Sequence, residues 1–452
     1  MTTPVRRPPA IERLLSSPEG RELAARHGRA RAVAALRASA DKMRRGALAG
    51  EEALFEDARA ALQSPPAGPR PVLNATGVLL HTNLGRAPLA PRAKEAAWAA
   101  AGACALEFDL ASGERGKRGD HVRALLLEVF ARGRAGAVDA LAVGNNAAAL
   151  LLALDTAANG RRVAVSRGEL VAIGGDFRVP SILAKSGATL LEVGTTNKTS
   201  LRDYEEAVEA GAGALLKVHP SNYRIVGHTE EATLAELGAL ARRAGIALVY
   251  DAGSATPERE AVFGDDALPL EALDAGASLV CFSGDKALGG PQSGILLGEA
   301  ALVAACAKSP LARALRLDKL ALAALAATLE LHRDRALDEI PLFRMLHATT
   351  AELERRAEAL AARARAAGLD AWAAASDATA GGGTGAETSL SSRAVRVRDA
   401  RRDASSLAAA LRALPVPVIA RVADGAVLLD LRSVEPEDDE SLGAALEAVA
   451  SS

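Results

Sequence analysis

The spacing of hydrophobic and polar positions along this chain changes near residue 64. Before that point, leucine and valine recur at roughly helical spacing among arginine and glutamate, which predicts a helical domain over residues 1–63. Residues 64–71 are rich in proline and glycine, and such a run ends a helix because proline lacks a backbone N–H. We interpret residues 64–71 as a linker between two domains.

From residue 72 onward, short apolar runs alternate with longer helical patterns. The short runs predict buried strands at 140–143, 162–165, 189–193, 214–218, 247–250 and 279–282. The helical patterns between them cover 147–156, 179–185, 201–210 and 232–244. Alternation of this kind predicts that residues 72–310 form an α/β domain, in which helices cover both faces of a mostly parallel sheet.

The last part of the chain begins with a long helical stretch, about 311–368, and then mixes strands with helices. Its strands are predicted at 392–397, 416–422 and 426–431, and its helices at 404–413 and 440–448. We therefore expect residues 311–452 to form a helical connection and a small α+β domain. Residues 378–385 are of low complexity, and we interpret them as a flexible loop in preference to a functional one.

The composition argues against several classes of protein. There are 54 Lys plus Arg and 56 Asp plus Glu, and this balance is unlike that of a protein that coats nucleic acid. Only 3% of the residues are aromatic, which disfavours an RNA-binding sheet that stacks bases. The separated cysteines and the histidines show neither a disulfide framework nor metal-ligand spacing. The chain begins without a signal-peptide core and has no apolar run of about 18 residues, so we expect a cytoplasmic protein without a membrane span.

Charge is distributed unevenly along the chain. Residues 1–63 contain twelve basic and eight acidic side chains, which makes them basic by four charges, whereas the remainder is acidic. Only nine of the 54 basic residues are lysines, a bias that we attribute to a GC-rich coding sequence. Because lysine is rare in this chain, a lysine at a position where catalysis would require a primary amine is a candidate functional residue.

The glycine-rich segment from Cys281 to Gln292 follows a predicted strand and contains one such lysine, Lys286. Its glycines allow a tight turn and the close approach of a ligand. A primary amine with a lowered pKa forms a Schiff base with pyridoxal phosphate (PLP), which arginine cannot do. Ser283 is then a candidate ligand for the cofactor phosphate. Taken alone, the segment is explained equally well by a surface lysine in a glycine turn.

Two further segments favour PLP. Asp251 ends a predicted strand, where a carboxylate can keep the pyridine nitrogen of the cofactor protonated. Asn145, Asn146 and Ala147 follow another strand and begin a helix, whose free N–H groups can hold a phosphate. Each segment alone is better explained as an ordinary helix cap. Their order in a parallel α/β domain, phosphate turn, aspartate, then lysine, is that of fold-type-I PLP enzymes.

Several long motifs resemble the bacterial selenocysteine synthase family, the L-seryl-tRNA(Sec) selenium transferases. They are NATGVLLHTNLGRAPL (74–89), SRGEL (166–170), EVGTTNKT (192–199), HPSNY (219–223), SGDK with GGPQ (283–292) and RALRLDK (313–319). The resemblance extends from the N-terminal region to the tail, where it includes Gly381–Gly383 and Leu428–Arg432. Departures from the family pattern at Asp176, Ala252, Ala255 and Ala287 remove no chemical group, although Asp176 adds a charge.

The resemblance implies that L-seryl-tRNA(Sec) is converted to L-selenocysteinyl-tRNA(Sec) with selenophosphate, through a PLP aldimine and a dehydroalanyl-tRNA intermediate. Lys286 would bind PLP and then act as the base for the Cα proton. Asp251 would sustain protonation of the cofactor ring, and Asp285 would donate a proton to the departing hydroxyl group. The implied ligands of selenophosphate are Arg86, Arg313 and Arg316, and the predicted lining of the substrate pocket is His81, Thr82 and Asn83.

The family resemblance also implies partners. It implies a homo-oligomer, a ring of dimers whose active sites are shared between subunits, and a basic N-terminal domain that binds tRNA through its phosphates. Two alternatives remain open: a PLP-dependent β-eliminating lyase of a small amino acid or amino sugar, and a non-enzymatic tRNA-binding protein. The N-terminal region disfavours the lyase, and the presence of both Lys286 and Asp251 disfavours the non-enzymatic protein.

Overall fold

The computed structural model of the protein describes residues 8–63, 68–134, 136–173, 177–220, 223–264, 268–384 and 389–451. The chain divides into two compact units, Met1–Pro71 and Val72–Ser452. Residues 64–67 of the predicted linker lie outside the described residues, as does the family departure at Asp176.

The first unit is helical, as predicted from its apolar spacing. Its helices are α1 (Ile11–Ser16), α2 (Pro18–His27), α3 (Arg29–Arg44) and α4 (Glu51–Gln63). Ser17 caps α2, because its side chain accepts a 3.0 Å hydrogen bond from the backbone N–H of Gly20. The apolar faces of the helices form a core of their own, which includes Leu14, Leu15, Leu23, Leu36 and Leu54.

The second unit contains the remaining described helices and strands. Its strands are β1 (Leu73–Ala75), β2 (Val138–Val143), β3 (Arg162–Ser166), β4 (Ala172–Ile173), β5 (Phe177–Arg178), β6 (Thr189–Val193), β7 (Lys198–Thr199), β8 (Ala212–Val218), β9 (Glu230–Glu231), β10 (Ala247–Ser254), β11 (Leu279–Ser283), β12 (Gly294–Glu299), β13 (Asp370–Thr379), β14 (Ser389–Arg398), β15 (Val418–Ala423) and β16 (Ala426–Asp430). Its helices are α5 (Pro91–Ala99), α6 (Asp120–Phe130), α7 (Asn146–Ala158), α8 (Val179–Lys185), α9 (Leu201–Glu209), α10 (Leu234–Ala244), α11 (Pro269–Ala275), α12 (Ala300–Lys308), α13 (Pro310–Ala314), α14 (Lys319–Arg333), α15 (Pro341–His347), α16 (Thr350–Ala366), α17 (Ala404–Ala413) and α18 (Asp439–Ser451).

The larger sheet has seven strands in the order β2-β12-β11-β10-β8-β3-β6. All of its strands run parallel to one another except β12, which pairs antiparallel with both β2 and β11. Successive side chains of β10 alternate between two cores, with Leu248 and Tyr250 on one face and Val249 on the other. The predicted parallel sheet covered on both faces is thereby confirmed, with β12 as an addition.

A second sheet lies in the C-terminal part of this unit and has the order β1-β15-β16-β14-β13. Its core is built from α16 and α17, which pack on the strands, and α18, which packs on these two helices. β1 joins this sheet although it precedes the larger sheet in sequence, because Leu73 pairs in parallel with Val418. The predicted α+β tail is observed, whereas the boundary at residue 310 stays a prediction.

The stretch predicted as a long helical connection contains four helices, α13 to α16. Asp318 begins α14 by accepting hydrogen bonds from the N–H groups of Leu320 and Ala321. Among the described residues, no helix is both long and apolar enough to cross a membrane.

Candidate active site

A cavity of about 360 Å³ lies where the carboxyl ends of the parallel strands meet, which is where open α/β sheets bind ligands. Its volume is in the range of small-molecule sites. Nine of the residues predicted from the sequence line it: Thr82, Arg86, Asn145, Asn146, Ala147, Asp251, Ser283, Asp285 and Lys286. The fold therefore brings together side chains that are separated by up to 204 positions in the sequence.

Lys286 is buried in the tight turn that follows β11. Gly284 permits this turn, since a Cβ atom there would lie 2.1 Å from the Oγ of Ser293. Burial lowers the pKa of Lys286 because the ammonium group loses water, and the nearby guanidinium of Arg86 lowers it further. Asp251 and Asp285 oppose this shift. The cavity therefore favours the neutral amine, the nucleophilic form of lysine.

Asp251 lies near the end of β10 and is buried. One of its oxygens, Oδ1, accepts hydrogen bonds from Nδ2 of Asn146 at 2.8 Å and from the backbone N–H of Gly253 at 3.0 Å. Burial raises the pKa of Asp251, while these two bonds and the charge of Lys286 lower it. The same Asn146 has a buried Oδ1 with no hydrogen-bond partner among the described residues. Both side chains thus present polar groups to the cavity.

The amino terminus of α7 forms another wall of the cavity. Asn145 caps this helix by accepting a 2.8 Å hydrogen bond from the N–H of Ala148. The N–H groups at the start of a helix have no acceptor within the helix, so those of Asn146 and Ala147 are suited to an anion. β12 packs closely behind this turn, since a Cβ on Gly294 would lie 2.0 Å from the carbonyl oxygen of Asn145.

Arg86 reaches the cavity from a loop that follows the short helical turn Thr82–Leu84. Its backbone has φ of 65°, an uncommon value for a residue with a side chain. Its N–H donates to the carbonyl of His81 at 3.1 Å, and its Nη1 pairs with Oδ2 of Asp285 at 2.7 Å. A guanidinium in this position can hold an oxyanion beside Lys286.

Four of the predicted residues do not line this cavity. His81 and Asn83 belong to the Arg86 loop but are absent from its lining. Arg313 and Arg316 line a separate cavity of about 870 Å³. The two arginines do not share a helical face, because α13 ends at Ala314 and Arg316 forms an isolated bridge with Val143.

The structure adds lining residues that the sequence reasoning did not select. His219 follows β8, and its N–H donates to the carbonyl of Asp251 at 2.9 Å. Gln292, two glycines (Gly85 and Gly253) and three valines (Val171, Val179 and Val218) also line the cavity. His219 and Gln292 both belong to motifs that resemble the family, and this membership could have marked them as site residues. Ser221 and Asn222 of the HPSNY motif lie outside the described residues.

Family models and known proteins match most of this chain. A family model described as L-seryl-tRNA selenium transferase matches residues 72–435, and one described as selenocysteine synthase N terminal matches residues 6–44. The L-seryl-tRNA(Sec) selenium transferase of Moorella thermoacetica is 49% identical over 391 residues, 83% of this chain and 81% of that protein. The enzyme of that name from Methylocella silvestris is 46% identical over 448 residues, 95% of this chain and 94% of that one.

Among solved structures, D-glucosaminate-6-phosphate ammonia-lyase has a TM-score of 0.57 and 22% identity, over 84% of this chain and 96% of that chain. A likeness at this identity concerns the fold alone, and together with the sheet order it confirms the predicted fold class, that of fold-type-I PLP enzymes. The family matches fall in both units, at residues 6–44 of the first and 72–435 of the second. The chain belongs to the L-seryl-tRNA selenium transferase family.

Proposed function

We propose that this chain converts L-seryl-tRNA(Sec) to L-selenocysteinyl-tRNA(Sec), with PLP as cofactor and selenophosphate as selenium donor. The observation that carries the proposal is the meeting of Lys286, Asp251, the amino terminus of α7 and Arg86 in one cavity of a chain that belongs to this family. Family membership favours this function over a free-amino-acid lyase and over a non-enzymatic tRNA-binding protein.

The residues of the cavity fit PLP. Lys286 supplies an amine with a lowered pKa, the start of α7 supplies N–H groups for a phosphate, and Asp251 supplies a buried carboxylate for the ring nitrogen. The unpartnered Oδ1 of Asn146 indicates that a polar group is still to be accommodated there. When bound, PLP withdraws electrons from the Cα of the attached amino acid, which allows the Cα proton and the β-hydroxyl group to leave.

The chain's own groups would then handle the protons. Lys286, once displaced from the cofactor, has its Nζ in the cavity and can accept the Cα proton. Asp285 is the proposed proton donor to the hydroxyl group. Its Oδ2 accepts from Nη1 of Arg86 at 2.7 Å, so the donated proton would be carried on Oδ1 and would be supplied by the proton that Lys286 removes from Cα. We propose that Arg86 binds selenophosphate, because its forked donors suit a compact oxyanion.

Arg313 and Arg316 line a different cavity from the one that Arg86 lines, so the three arginines do not meet within one chain. We propose that they contribute to selenophosphate binding in a neighbouring subunit of a homo-oligomer, as the family resemblance implies. Co-expression of Lys286→Ala and Arg313→Ala chains tests this. Each variant alone should be inactive, and mixed oligomers should regain activity if the two residues serve one site from different subunits. Absence of recovery would contradict sharing.

The proposed function is tested by a transfer assay that compares two substrates. Seryl-tRNA(Sec) with selenophosphate should yield selenocysteinyl-tRNA(Sec), whereas free serine should not react. Arg86→Ala should impair selenium transfer but retain bound cofactor, and Arg92→Ala is a matched control, since Arg92 is an arginine of α5 that pairs with Glu330 outside the cavity. Activity on free serine alone would select the lyase instead.

A further inference from the structure

Asp430, the last residue of β16, is completely buried and lies outside the active-site cavity. Its carboxylate accepts hydrogen bonds from the hydroxyls of Ser376 and Ser392, both at 2.6 Å, and from Nη2 of Arg421 at 3.2 Å. The backbone N–H of Arg432 donates to it at 3.1 Å. Burying a carboxylate is costly unless it is bonded in this way, so the network holds Asp430 in one position.

The hydrogen-bonded Asp430 contacts the start of the segment that leads to Arg86, residues 76–86. Asp430 forms a parallel bridge with Thr76, and a Cβ on Gly77 would lie 2.8 Å from its Cγ. Gly77 has φ of 76°, so a glycine is required there on both counts. Ser433 adds a second clamp, because its Oγ accepts from the N–H of Gly77 and donates to the carbonyl of Asn74, each at 2.8 Å.

Further backbone hydrogen bonds hold this segment closer to the cavity. The N–H groups of Leu79 and Leu80 donate to the carbonyls of Thr379 and Ala380, at 3.0 and 2.8 Å. Gly381 and Gly382 lie against the first of these two segments, where a Cβ would touch Val78 or Leu80. The described part of the low-complexity segment is thus a tightly packed turn, in contrast to the flexible loop expected from its composition.

Arg86 stands at the end of this supported segment with its backbone in the left-handed region. Such a conformation persists only where the surrounding structure determines it. Between Leu80 and Arg86 lies a single turn, closed by the carbonyl of His81, which accepts from the N–H groups of Leu84 and Arg86. The orientation of the guanidinium therefore depends on how firmly the segment beneath it is held.

We propose that Asp430 is a positioning residue for Arg86: acting through Gly77, it holds the loop from which Arg86 binds the selenium-donor oxyanion. The inference rests on the proposed function, since it assumes that Arg86 binds selenophosphate. A purely structural role in the C-terminal sheet would instead affect stability without affecting selenophosphate binding.

The test is the KM for selenophosphate at saturating seryl-tRNA(Sec). Asp430→Asn should raise this KM on the order of tenfold, because small displacements of a binding group are costly, while kcat and the colour of bound cofactor are retained.

The matched control is Val397→Ala, which removes buried apolar contacts three positions along β14 from Ala394, the partner of Asp430. It should lower Tm and leave KM unchanged. If Asp430→Asn does not fold, Ser392→Ala removes one donor and should act in the same direction.

A double variant separates positioning from stability. In an Arg86→Ala chain, the further change Asp430→Asn should no longer alter KM, because the residue that it positions is absent. Equal KM values for Asp430→Asn and the parent chain, or an undiminished effect in the Arg86→Ala background, would overturn the inference. If Arg86→Ala alone left the KM for selenophosphate unchanged, Arg86 would not bind selenophosphate and that part of the proposed function would be wrong. The single variant thus distinguishes failure of the proposed function from failure of the role inferred for Asp430.

Discussion

At the scale of single residues, the environment of Lys286 lowers the pKa of its side chain. The side chain is buried, which lowers its pKa, and the charge of Arg86 lowers the pKa further while those of Asp251 and Asp285 raise it. Lys217 is also largely buried, but it forms a 2.8 Å ion pair with Glu169 and the adjacent charge holds its pKa up. Of these two lysines, Lys286 is the one whose surroundings favour a neutral amine.

The change Lys286→Ala should abolish the covalent link between chain and cofactor, since only a primary amine can form it. The yellow colour of the bound cofactor should disappear, and borohydride should no longer fix the cofactor to the protein. Lys185→Ala, at an exposed lysine of α8, is the control and should behave as the parent chain does. A reducible adduct that survived in Lys286→Ala would mean that another lysine binds the cofactor.

The pH dependence of cofactor attachment reports the lowered pKa of Lys286. Attachment to the cofactor-free chain should quicken as pH rises through a value below 10.5, because the amine must be neutral. Arg86→Gln removes a charge that lowers this pKa and should move the inflection upward, whereas Asp285→Asn removes a charge that raises it and should move the inflection downward. Shifts in the same direction for both variants would contradict this electrostatic account.

The same shift has a consequence for stability. In the unfolded chain Lys286 regains its ordinary pKa, so between its lowered value and 10.5 the unfolded state binds more protons. The contribution of Lys286 to the free energy of unfolding should therefore increase with pH across that window. Comparison of parent and Lys286→Met chains without cofactor, by chemical denaturation at several pH values, measures this difference.

At the scale of elements, the site depends on how strand ends and helix starts are joined. The turn from β2 into α7 is held from two sides, because the N–H of Gly144 donates to the carbonyl of Leu315 at 2.9 Å and Gly294 of β12 allows close packing. The start of α7, the proposed phosphate site, is thus placed by elements distant in sequence. The orientation of α7 therefore depends on its contacts with β12 and with the segment around Leu315.

Asn145→Ala should lower the free energy of unfolding by about 1 kcal/mol through loss of the helix cap and should also weaken cofactor binding. The matched control is Asp403→Ala, which removes the cap of α17, a 2.7 Å hydrogen bond from the N–H of Ser406, away from the cavity. Both variants should lose similar stability in chemical denaturation. In equilibrium titrations only Asn145→Ala should bind PLP more weakly; equal affinities would argue that α7 does not hold the phosphate.

At the scale of the whole molecule, the chain consists of two units with separate cores. All residues lining the candidate active site belong to the second unit, and the first carries an excess of four basic charges over residues 1–63. Cofactor chemistry and tRNA binding are therefore expected to be separable.

Deletion of residues 1–63 should leave the cofactor colour intact and weaken seryl-tRNA(Sec) binding by at least about tenfold, because phosphate contacts dominate such affinity. Affinity should be measured at several salt concentrations for the deleted and full-length chains. The deleted chain should also show a shallower dependence on salt. An unchanged affinity would show that the first unit does not carry the tRNA site.

The periodicity of the sequence predicted much of this fold. The strands of the larger sheet, apart from β12, and the helices α7 to α10 follow local alternation, and Val179–Lys185 and Ala404–Ala413 match their predicted bounds. β1 and β12 escaped prediction for different reasons. β1 has three residues, too few for a pattern, and β12 owes its place to pairing with strands on either side.

By itself, the sequence determined the local properties of this protein: which segments form helices or strands, where a lysine stands in a glycine turn, and to which family the motifs belong. These follow because they depend on neighbours a few residues away. Tertiary structure alone decided that Arg86 meets Asp285, that Arg313 and Arg316 line another cavity, and that Asp430 forms a bridge with Thr76, more than 350 positions earlier. Burial, charge and pairing between distant strands arise only once the chain is folded, and no local pattern encodes them.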